Sequence, residues 1–216
     1  MKAERPYHNH FLSSDHHFFH EKSIKFDNRP FKSVEHMHEE IIKRHNSVVP
    51  ENGLTYFLGD VGMGSSEQLA SIINRMNGVK ILVAGNHDGS VGKMMKSGFL
   101  TVVQGVVLRL DNKLVTLSHC PLRGIPREQS SPEMLAKGMV TINWHGEEKN
   151  QFYSMPDFGQ ALHCHGHLHA GKNTPWKPIQ LGNQLDIGVV GNHFRPVSFS
   201  HVESVLMKLT RSQAQA

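Results

Sequence analysis

The sequence predicts an α/β fold with mixed sheets, and three observations predict it. Before residue 90, three apolar, β-prone segments alternate with two segments of helical periodicity. From residue 101 onward a β-hairpin pattern appears, which a purely parallel sheet does not contain. The length of 216 residues fits a single domain, residues 1–216, better than two.

Five predicted strands each end in a polar side chain that can bind a ligand. The strands cover residues 11–15, 56–60, 81–86, 115–119 and 161–167. The side chains at their ends are Asp15, Asp60, Asn86, His119 and His167. Because open α/β sheets place their binding crevice at the carboxyl ends of strands, we expect these side chains to converge on one site.

The predicted helices are marked by capping residues. Ser33 is a candidate N-cap before apolar positions at helical spacing. Ser65 and Gln68 form a capping-box pattern before a second such segment. A last helix is predicted to begin at a capping box formed by Ser200 and Glu203.

The second half contains a hairpin and a long connecting segment. Residues 102–110 and 113–117 are predicted to pair across a turn at Asp111 and Asn112. The stretch at about 121–160 has few periodic signals and is long for a loop in a compact domain. We therefore predict a substrate-facing insertion or a small cap there.

Composition narrows the class of protein. Hydrophobic residues make up 38% and charged residues 19%, and the apolar runs are too short to cross a bilayer, so no membrane association is expected. The start of the chain lacks the apolar stretch of a secretory signal, which favours a cytoplasmic location. The two cysteines, Cys120 and Cys164, are too few for a disulfide framework. Strand alternation predicts that both turn away from the ligand positions that they flank, as buried thiols.

Histidine is unusually frequent, with 17 residues, which favours metal ligands or proton-transfer groups. Side chains alternate along a strand, so Asp15 and His17 are predicted to share a face, as are His167 and His169. Together with Asp60, Asn86 and His119 these residues offer oxygen and nitrogen donors without thiolate. Such a set suits manganese, iron, zinc and similar divalent ions.

Five motifs follow one another along the chain: Asp15-x-His17, Gly59-Asp60, Gly85-Asn86-His87-Asp88, the lone His119 and Gly166-His167-Leu168-His169. In their order and number they resemble the signature of the calcineurin-like metallophosphoesterase family. The resemblance runs from about residue 11 to residue 169. It implies a four-layer α/β sandwich of two mixed β-sheets flanked by helices.

The resemblance also implies a phosphoester hydrolase with two divalent metal ions: Mn, Fe, Zn or Ni, with Mn favoured. Asp15, His17 and His169 would bind one ion, Asn86, His119 and His167 would bind the other, and Asp60 would bridge them. Two ions roughly 3.5–4 Å apart can lower the pKa of a bridging water and neutralise charge on phosphoryl oxygens. His87 is then expected to protonate the leaving alkoxide, with Asp88 bonded to its other ring nitrogen.

Substrate contacts are expected from four residues around the metals. Asn86 lies within the motif, and His20 follows His17 closely enough to reach a substrate. Arg123 and Arg127 come soon after His119, and arginine pairs well with two phosphate oxygens. The oligomeric state is not predicted by these patterns.

The substrate class stays open between monoesters, nucleotide or cyclic diesters, phosphoproteins and nucleic acid. The net charge is only +4, Lys and Arg are scattered, and aromatic residues make up 7% of the chain. A nuclease is expected to carry a groove rich in basic and stacking residues. A small phosphoester is therefore favoured, with a nuclease or a non-catalytic metal-binding scaffold as alternatives.

Overall fold

The computed structural model describes residues 7–110, 112–123, 153–157, 159–169 and 180–214. The strands are β1 (His10–Ser13), β2 (Leu54–Phe57), β3 (Val79–Val83), β4 (Thr101–Val103), β5 (Val106–Leu110), β6 (Lys113–Leu117), β7 (Cys120–Arg123), β8 (Ser154–Pro156), β9 (Leu162–His165), β10 (Gln180–Leu181), β11 (Gln184–Asp186) and β12 (Val197–Ser198). The helices are α1 (Glu21–Phe26), α2 (Val34–Asn46), α3 (Ser66–Ile73), α4 (Val91–Lys96) and α5 (Phe199–Ala214).

Two mixed five-stranded sheets form the framework. The first has the order β12-β1-β2-β3-β4, with β12 antiparallel to β1 and the other neighbours parallel. The second has the order β10-β11-β9-β6-β5, with antiparallel strands at both edges. The prediction of an α/β fold with two mixed sheets flanked by helices is confirmed.

Two hydrophobic cores pack these layers. Helices α2, α3 and α4 bury apolar side chains such as Met37, Ile41, Leu69 and Met94 in one cluster with Phe57 of the first sheet. The second core joins the two sheets and α5, through side chains such as Leu12, Leu58, Val115, Leu162 and Val202. Burying one such side chain fully stabilises the fold by about 1.5–3 kcal/mol, so both cores hold the strand ends in place.

The chain crosses between the sheets at Gln104 and Gly105. The sequence predicted one strand over residues 102–110, whereas β4 ends at Val103 in the first sheet and β5 begins at Val106 in the second. A Cβ on Gly105 would lie 2.8 Å from Cε of Met155, so the crossing is tightly packed. The prediction of one continuous strand was wrong because an apolar pattern does not tell which sheet a strand joins. The hairpin itself is confirmed by the antiparallel pairing of β5 with β6.

The helix caps agree with the sequence except at α5. The Ser33 hydroxyl accepts a hydrogen bond from the His36 backbone, and Ser65 forms a full capping box with Gln68. Helix α5 begins at Phe199 rather than after Ser200, and the Ser198 hydroxyl accepts from the His201 backbone at 3.4 Å. Ser198 and Ser200 both suit a cap in sequence, and pairing of β12 with β1 favours the earlier one.

The predicted insertion at about 121–160 lies largely outside the described residues. Its two ends form a separate parallel pair, β7 with β8. Within the described part of the chain, no helix has both the length and the apolar character that a bilayer crossing requires.

Candidate metal centre

The predicted site residues lie in loops that follow the strands. β1 ends at Ser13 and β9 ends at His165, so the paired side chains are not presented by strand alternation as predicted. Instead, five residues adopt left-handed backbone angles: Asp15 (φ 59°), His17 (53°), Asp60 (54°), His167 (69°) and His169 (47°). Such conformations cost of order 1–3 kcal/mol in residues other than glycine and cluster at functional sites.

Hydrogen bonds hold these loops side by side. The backbone N–H groups of Asp15 and His17 donate to the carbonyls of Gly59 and Asp60, both at 3.1 Å. The N–H of His167 donates to both carboxylate oxygens of Asp15 at 3.0 Å. These bonds compensate the backbone strain and bring residues 15, 60 and 167 together although they are far apart in sequence.

A first group of donors contains Asp15, His17, Asp60 and His169, whose potential ligand atoms all lie within 4.8 Å of one another. Nε2 of His17 lies 3.0 Å from Nε2 of His169 and 3.6 Å from Oδ2 of Asp60. Oδ1 of Asp15 lies 3.8 Å from Nε2 of His169. The first group is almost completely buried, with only His169 partly exposed.

A second group of donors contains Asn86, His119 and His167. Oδ1 of Asn86 lies 2.9 Å from Nε2 of His119 and 3.1 Å from Nδ1 of His167. The two imidazole nitrogens are 3.2 Å apart, and Oδ1 of Asp60 lies 3.4 Å from Nε2 of His119. Asp60 therefore directs one oxygen towards each group.

The geometry and chemistry of both groups fit divalent cations. Two nitrogens that each lie about 2.1 Å from one cation are roughly 3–3.5 Å apart. The separations of 3.0 Å and 3.2 Å between imidazole nitrogens match that range. Carboxylate, amide and imidazole donors together suit transition metals such as manganese, iron and zinc. The described residues thus contain two clusters able to bind metal.

Three motif glycines make room for these donors. A Cβ on Gly59 would lie 2.5 Å from Nδ1 of His119, and a Cβ on Gly85 would lie 2.5 Å from Oδ1 of Asp60. A Cβ on Gly166 would collide with the Asp15 carboxylate. The glycines before the ligating residues are therefore needed for close approach, and Gly59 also for its φ of +83°.

Charge couples the donors. Burial raises the pKa of Asp60, but the charge and hydrogen bond of His119 and the charge of His17 outweigh it, so its pKa is lowered. For His119, burial lowers the pKa, but Asp60 outweighs it and the pKa rises to about 9. Burial is the main cause that raises the pKa of Asp15 to about 6. A cation at these groups would replace the protons that they otherwise share.

Asp27, which lies outside every sequence motif, holds His169 together with Arg29. Nδ1 of His169 donates to Oδ1 of Asp27 at 2.8 Å, and Oδ2 of Asp27 accepts from Nε and Nη2 of Arg29 at 3.0 Å and 2.8 Å. Burial raises the pKa of Asp27, but the hydrogen bond from His169 and the charges of His169 and Arg29 lower it to about 2. The Arg29 guanidinium is buried against Asp27 and two backbone carbonyls, so it is not free to bind a phosphate.

His87 and Asp88 do not form the expected pair. The Asp88 carboxylate accepts from three backbone N–H groups, those of Asp60, Val61 and Gly85, at 2.8–3.1 Å. Both of its oxygens are therefore used to join the two loops, and we correct its role from orienting His87 to holding the backbone. The His87 ring is exposed and lies 5.7 Å from the His17 ring, between centroids, at the open side of the site.

The predicted substrate contacts are placed only in part. Nδ1 of His20 lies 3.5 Å from Nδ1 of His17, so His20 is at the rim of the first group. Arg123 ends β7, whereas Arg127 lies outside the described residues. The Tyr153 ring, which the sequence did not single out, stands perpendicular to the His119 ring at 6.5 Å. Tyr153 carried no motif signal, because an isolated tyrosine in a long segment has no distinguishing pattern.

The two cysteines differ in their distance from the centre. Both are buried, as expected, and burial raises the pKa of each thiol. Cys120 was predicted to turn away from the site, yet its sulfur lies within 4.8 Å of ligand atoms of His119 and His167. The loop between β6 and β7 interrupts the strand alternation on which that prediction rested.

No family model matches the chain. An uncharacterized protein of Methanocaldococcus jannaschii is 39% identical over 80 residues, which is 36% of this chain and 46% of that protein. The match therefore spans just under half the length of that relative.

Comparisons with solved structures place the fold. A protein of unknown function from Aquifex aeolicus superposes with a TM-score of 0.61 at 23% identity, covering 91% of this chain and 98% of that one. An archaeal phosphodiesterase gives a TM-score of 0.38 at 14% identity, covering 83% and 81% of the two chains. A phosphoesterase from E. coli gives 0.37 at 19% identity, covering 83% and 77%. TM-scores of 0.38 and 0.37 transfer no activity to this chain, whereas the score of 0.61 shows that this chain and the Aquifex protein share a fold.

Proposed function

We propose that this protein hydrolyses a phosphate mono- or diester with two divalent metal ions. The observation that carries the proposal is the convergence of seven oxygen and nitrogen donors into two adjacent groups that share one carboxylate. The donors are Asp15, His17, Asp60, Asn86, His119, His167 and His169. Five of them are held in strained backbone conformations, which supports a functional rather than a structural reason for their arrangement.

Each donor has a distinct part in this proposal. Asp15, His17 and His169 would hold one ion, Asn86, His119 and His167 would hold the other, and Asp60 would offer one oxygen to each. When bound, two such ions supply Lewis acidity that activates water and neutralises phosphoryl charge. Manganese is our first choice, and iron, zinc and nickel also suit these donors.

His87 is proposed to supply the proton for the leaving alkoxide. Its ring is exposed and lies beside the first group, where a substrate could contact it. Its backbone N–H donates to Oδ1 of Asp60 at 3.0 Å, which fixes its position relative to both groups. Asp88 supports the reaction indirectly, because its three backbone hydrogen bonds keep the Asp60 and His87 loops together.

The favoured substrate is a small phosphoester. His20 at the rim of the first group and Tyr153 beside the second would flank a bound molecule. Asn86 and the arginines at positions 123 and 127 are proposed to contact phosphate oxygens. Scattered basic residues and few aromatic residues argue against a long nucleic-acid groove.

The test is metal-dependent hydrolysis of p-nitrophenyl phosphate and bis-p-nitrophenyl phosphate. The protein is treated with a chelator, and manganese, iron, zinc or nickel is then added back. We expect activity to return only when metal is added back. Asp60→Asn should lower the activity by at least about 100-fold, because changes to residues that merely surround a metal site already cost up to that factor. The preferred ester separates a monoesterase from a diesterase. Binding of two ions without turnover of either ester would favour the non-catalytic scaffold instead.

A further inference from the structure

We infer that Asp27, held by Arg29, is a positioning residue that sets which nitrogen of His169 faces the metal centre. The inference rests on the proposed function, since it concerns one of the proposed metal ligands. Asp27 belongs to none of the motifs and lies 142 residues before His169 in sequence. It is 3% exposed, so its carboxylate is not a surface group that meets the histidine by chance.

The contact with Asp27 determines the tautomer of His169. A carboxylate has no proton to donate at neutral pH, so the Nδ1 of His169 carries the hydrogen in their 2.8 Å bond. Nε2 then keeps its lone pair, and it faces Nε2 of His17 at 3.0 Å and Oδ1 of Asp15 at 3.8 Å. Carboxylate partners of this kind orient metal-binding histidines and increase their basicity.

Arg29 connects this contact to the loop that carries the other ligands. Its guanidinium donates twice to Oδ2 of Asp27, at 3.0 Å and 2.8 Å. The same group donates to the carbonyls of His16, at 2.7 Å, and Asp15, at 3.0 Å. One buried cation therefore fixes the Asp27 carboxylate and the backbone of the Asp15–His17 loop in a single arrangement.

Asparagine at position 27 tests this arrangement because it can satisfy only one of the two partners. Arg29 presents two donors to Oδ2, so the single amide oxygen is expected to turn towards Arg29. The amide NH₂ then faces Nδ1 of His169 and donates to it. His169 would consequently carry its proton on Nε2 and present a hydrogen, rather than a lone pair, to the metal.

The experiment titrates Mn²⁺ into the chelator-treated full chain by calorimetry for the native protein, Asp27→Asn, Asp27→Ala and His169→Ala. Glu39→Gln, which removes a carboxylate from an exposed ion pair with Arg75, is the matched control. We expect two ions per native chain, and in Asp27→Asn a loss of about 10–100-fold in affinity for one ion only. At limiting metal, the electron paramagnetic resonance spectrum of Mn²⁺ should be that of a coupled pair of ions in the native protein and that of a single ion in Asp27→Asn.

The order of the two Asp27 variants separates positioning from structure. In Asp27→Ala, water can accept the hydrogen bond from Nδ1 of His169. This variant should therefore reduce the affinity for the ion less than Asp27→Asn does. A purely structural role predicts the reverse, since alanine removes more contacts. Thermal unfolding of each metal-free variant checks that it is folded. The ¹⁵N resonances of His169 in the metal-free native protein report its tautomer directly.

Two results would overturn this inference while leaving the proposed function intact. One is native affinity for both ions in Asp27→Asn, and the other is a neutral His169 ring that carries its hydrogen on Nε2 instead of Nδ1 in the metal-free native protein. Failure of the native protein to bind any pair of ions would instead remove the proposed function itself. The two failures are thus distinguishable.

Discussion

The two halves of the candidate metal centre are supported in different ways. In the first group, Nδ1 of His169 donates to the carboxylate of Asp27, which a buried arginine holds. In the second group, Nδ1 of His119 donates to the neutral backbone carbonyl of Leu58 at 2.7 Å. Charged side chains therefore support the first group, while the backbone and the close packing of Gly59 against Gly85 support the second.

The sequence motifs therefore include the residues that support the second group but not those that support the first. The second group depends on backbone geometry that the Gly-Asp and Gly-Asn-His-Asp motifs themselves produce. The first group depends on Asp27 and Arg29, which lie outside every motif. Substitutions away from the motifs should therefore affect the first group more than the second.

The largest expected effect comes from changing His87, which belongs to neither group of donors. This change tests whether catalysis needs a proton donor in addition to the two groups that hold metal. His87→Ala should lower kcat by about 10²–10⁴-fold, the usual contribution of a general acid, and leave binding of both ions unchanged. The loss should be larger for phenyl phosphate than for p-nitrophenyl phosphate, because the poorer leaving group needs the proton more. Equal losses for the two esters would contradict the role of His87 as the acid.

Arg29→Met addresses the charged support of the first group. It leaves the buried Asp27 carboxylate without its cation, so the free energy of unfolding should fall by about 3–5 kcal/mol. Denaturant unfolding of the metal-free protein measures the change. Arg75→Met is the control, since the exposed Arg75–Glu39 pair should contribute little. A similar stability for Arg29→Met and the native protein would show that the network does not support the fold.

Gly59→Ala addresses the backbone support of the second group. Its φ of +83° is unfavourable for alanine, and the new Cβ would lie 2.5 Å from Nδ1 of His119 and 2.6 Å from Cα of Gly85. We expect a loss of stability of about 1–3 kcal/mol and weaker binding of one ion, the one assigned to His119. Gly92→Ala is the control, because a Cβ there meets nothing within 4 Å and lies in α4. An equal loss of affinity for both ions would show that the two halves of the centre are not independent.

The last expected effect concerns acid unfolding of the core rather than the metal centre, and it appears only below about pH 6.5. Burial, and secondarily Lys80, lowers the pKa of His45 from 6.5 to about 4 despite its hydrogen bond to the Asn77 carbonyl. Between these pH values the unfolded chain binds a proton that the folded chain does not. The stability that His45 contributes is therefore complete above pH 6.5 and is lost as the pH falls towards 4, with a slope of up to about 1.4 kcal/mol per pH unit.

His45→Gln should reduce that slope in denaturant unfolding measured across pH 4–6.5. It should not abolish it, because burial also lowers the pKa of His163, to about 3. His36→Gln, at an exposed position of the same helix, is the matched control and should retain the native slope. An unchanged slope in His45→Gln would contradict the neutral buried state of this histidine.

The sequence predicted the framework and the convergence of the site because both depend on local patterns. Apolar runs marked five strands, and capping residues such as Ser33 and Ser65 marked the helix starts. Strand ends then supplied the candidate donors, all seven of which the structure brings together. Their roles as metal ligands stay predictions, as does the single domain with a substrate-facing insertion.

The errors came from features that depend on tertiary contacts. The position of the crossing at Gly105 depends on which sheet each strand joins, and that choice has no local signature. The three backbone N–H groups around Asp88 come together only when two loops meet, so its expected contact with His87 was not formed. The Asp27–His169 contact spans 142 residues, and a single sequence carries no local signal for it.

The place of β12 has a consequence for synthesis on the ribosome. The parallel strands β1–β4 are complete once Val103 has emerged, but the outer edge of β1 pairs with β12, which begins at Val197. At usual rates of translation, the intervening chain takes roughly 5–20 s to make. During that interval β1 offers unpaired backbone groups, as edge strands prone to aggregation do. The nascent first sheet is therefore exposed to chaperones or to neighbouring chains until its last strand arrives.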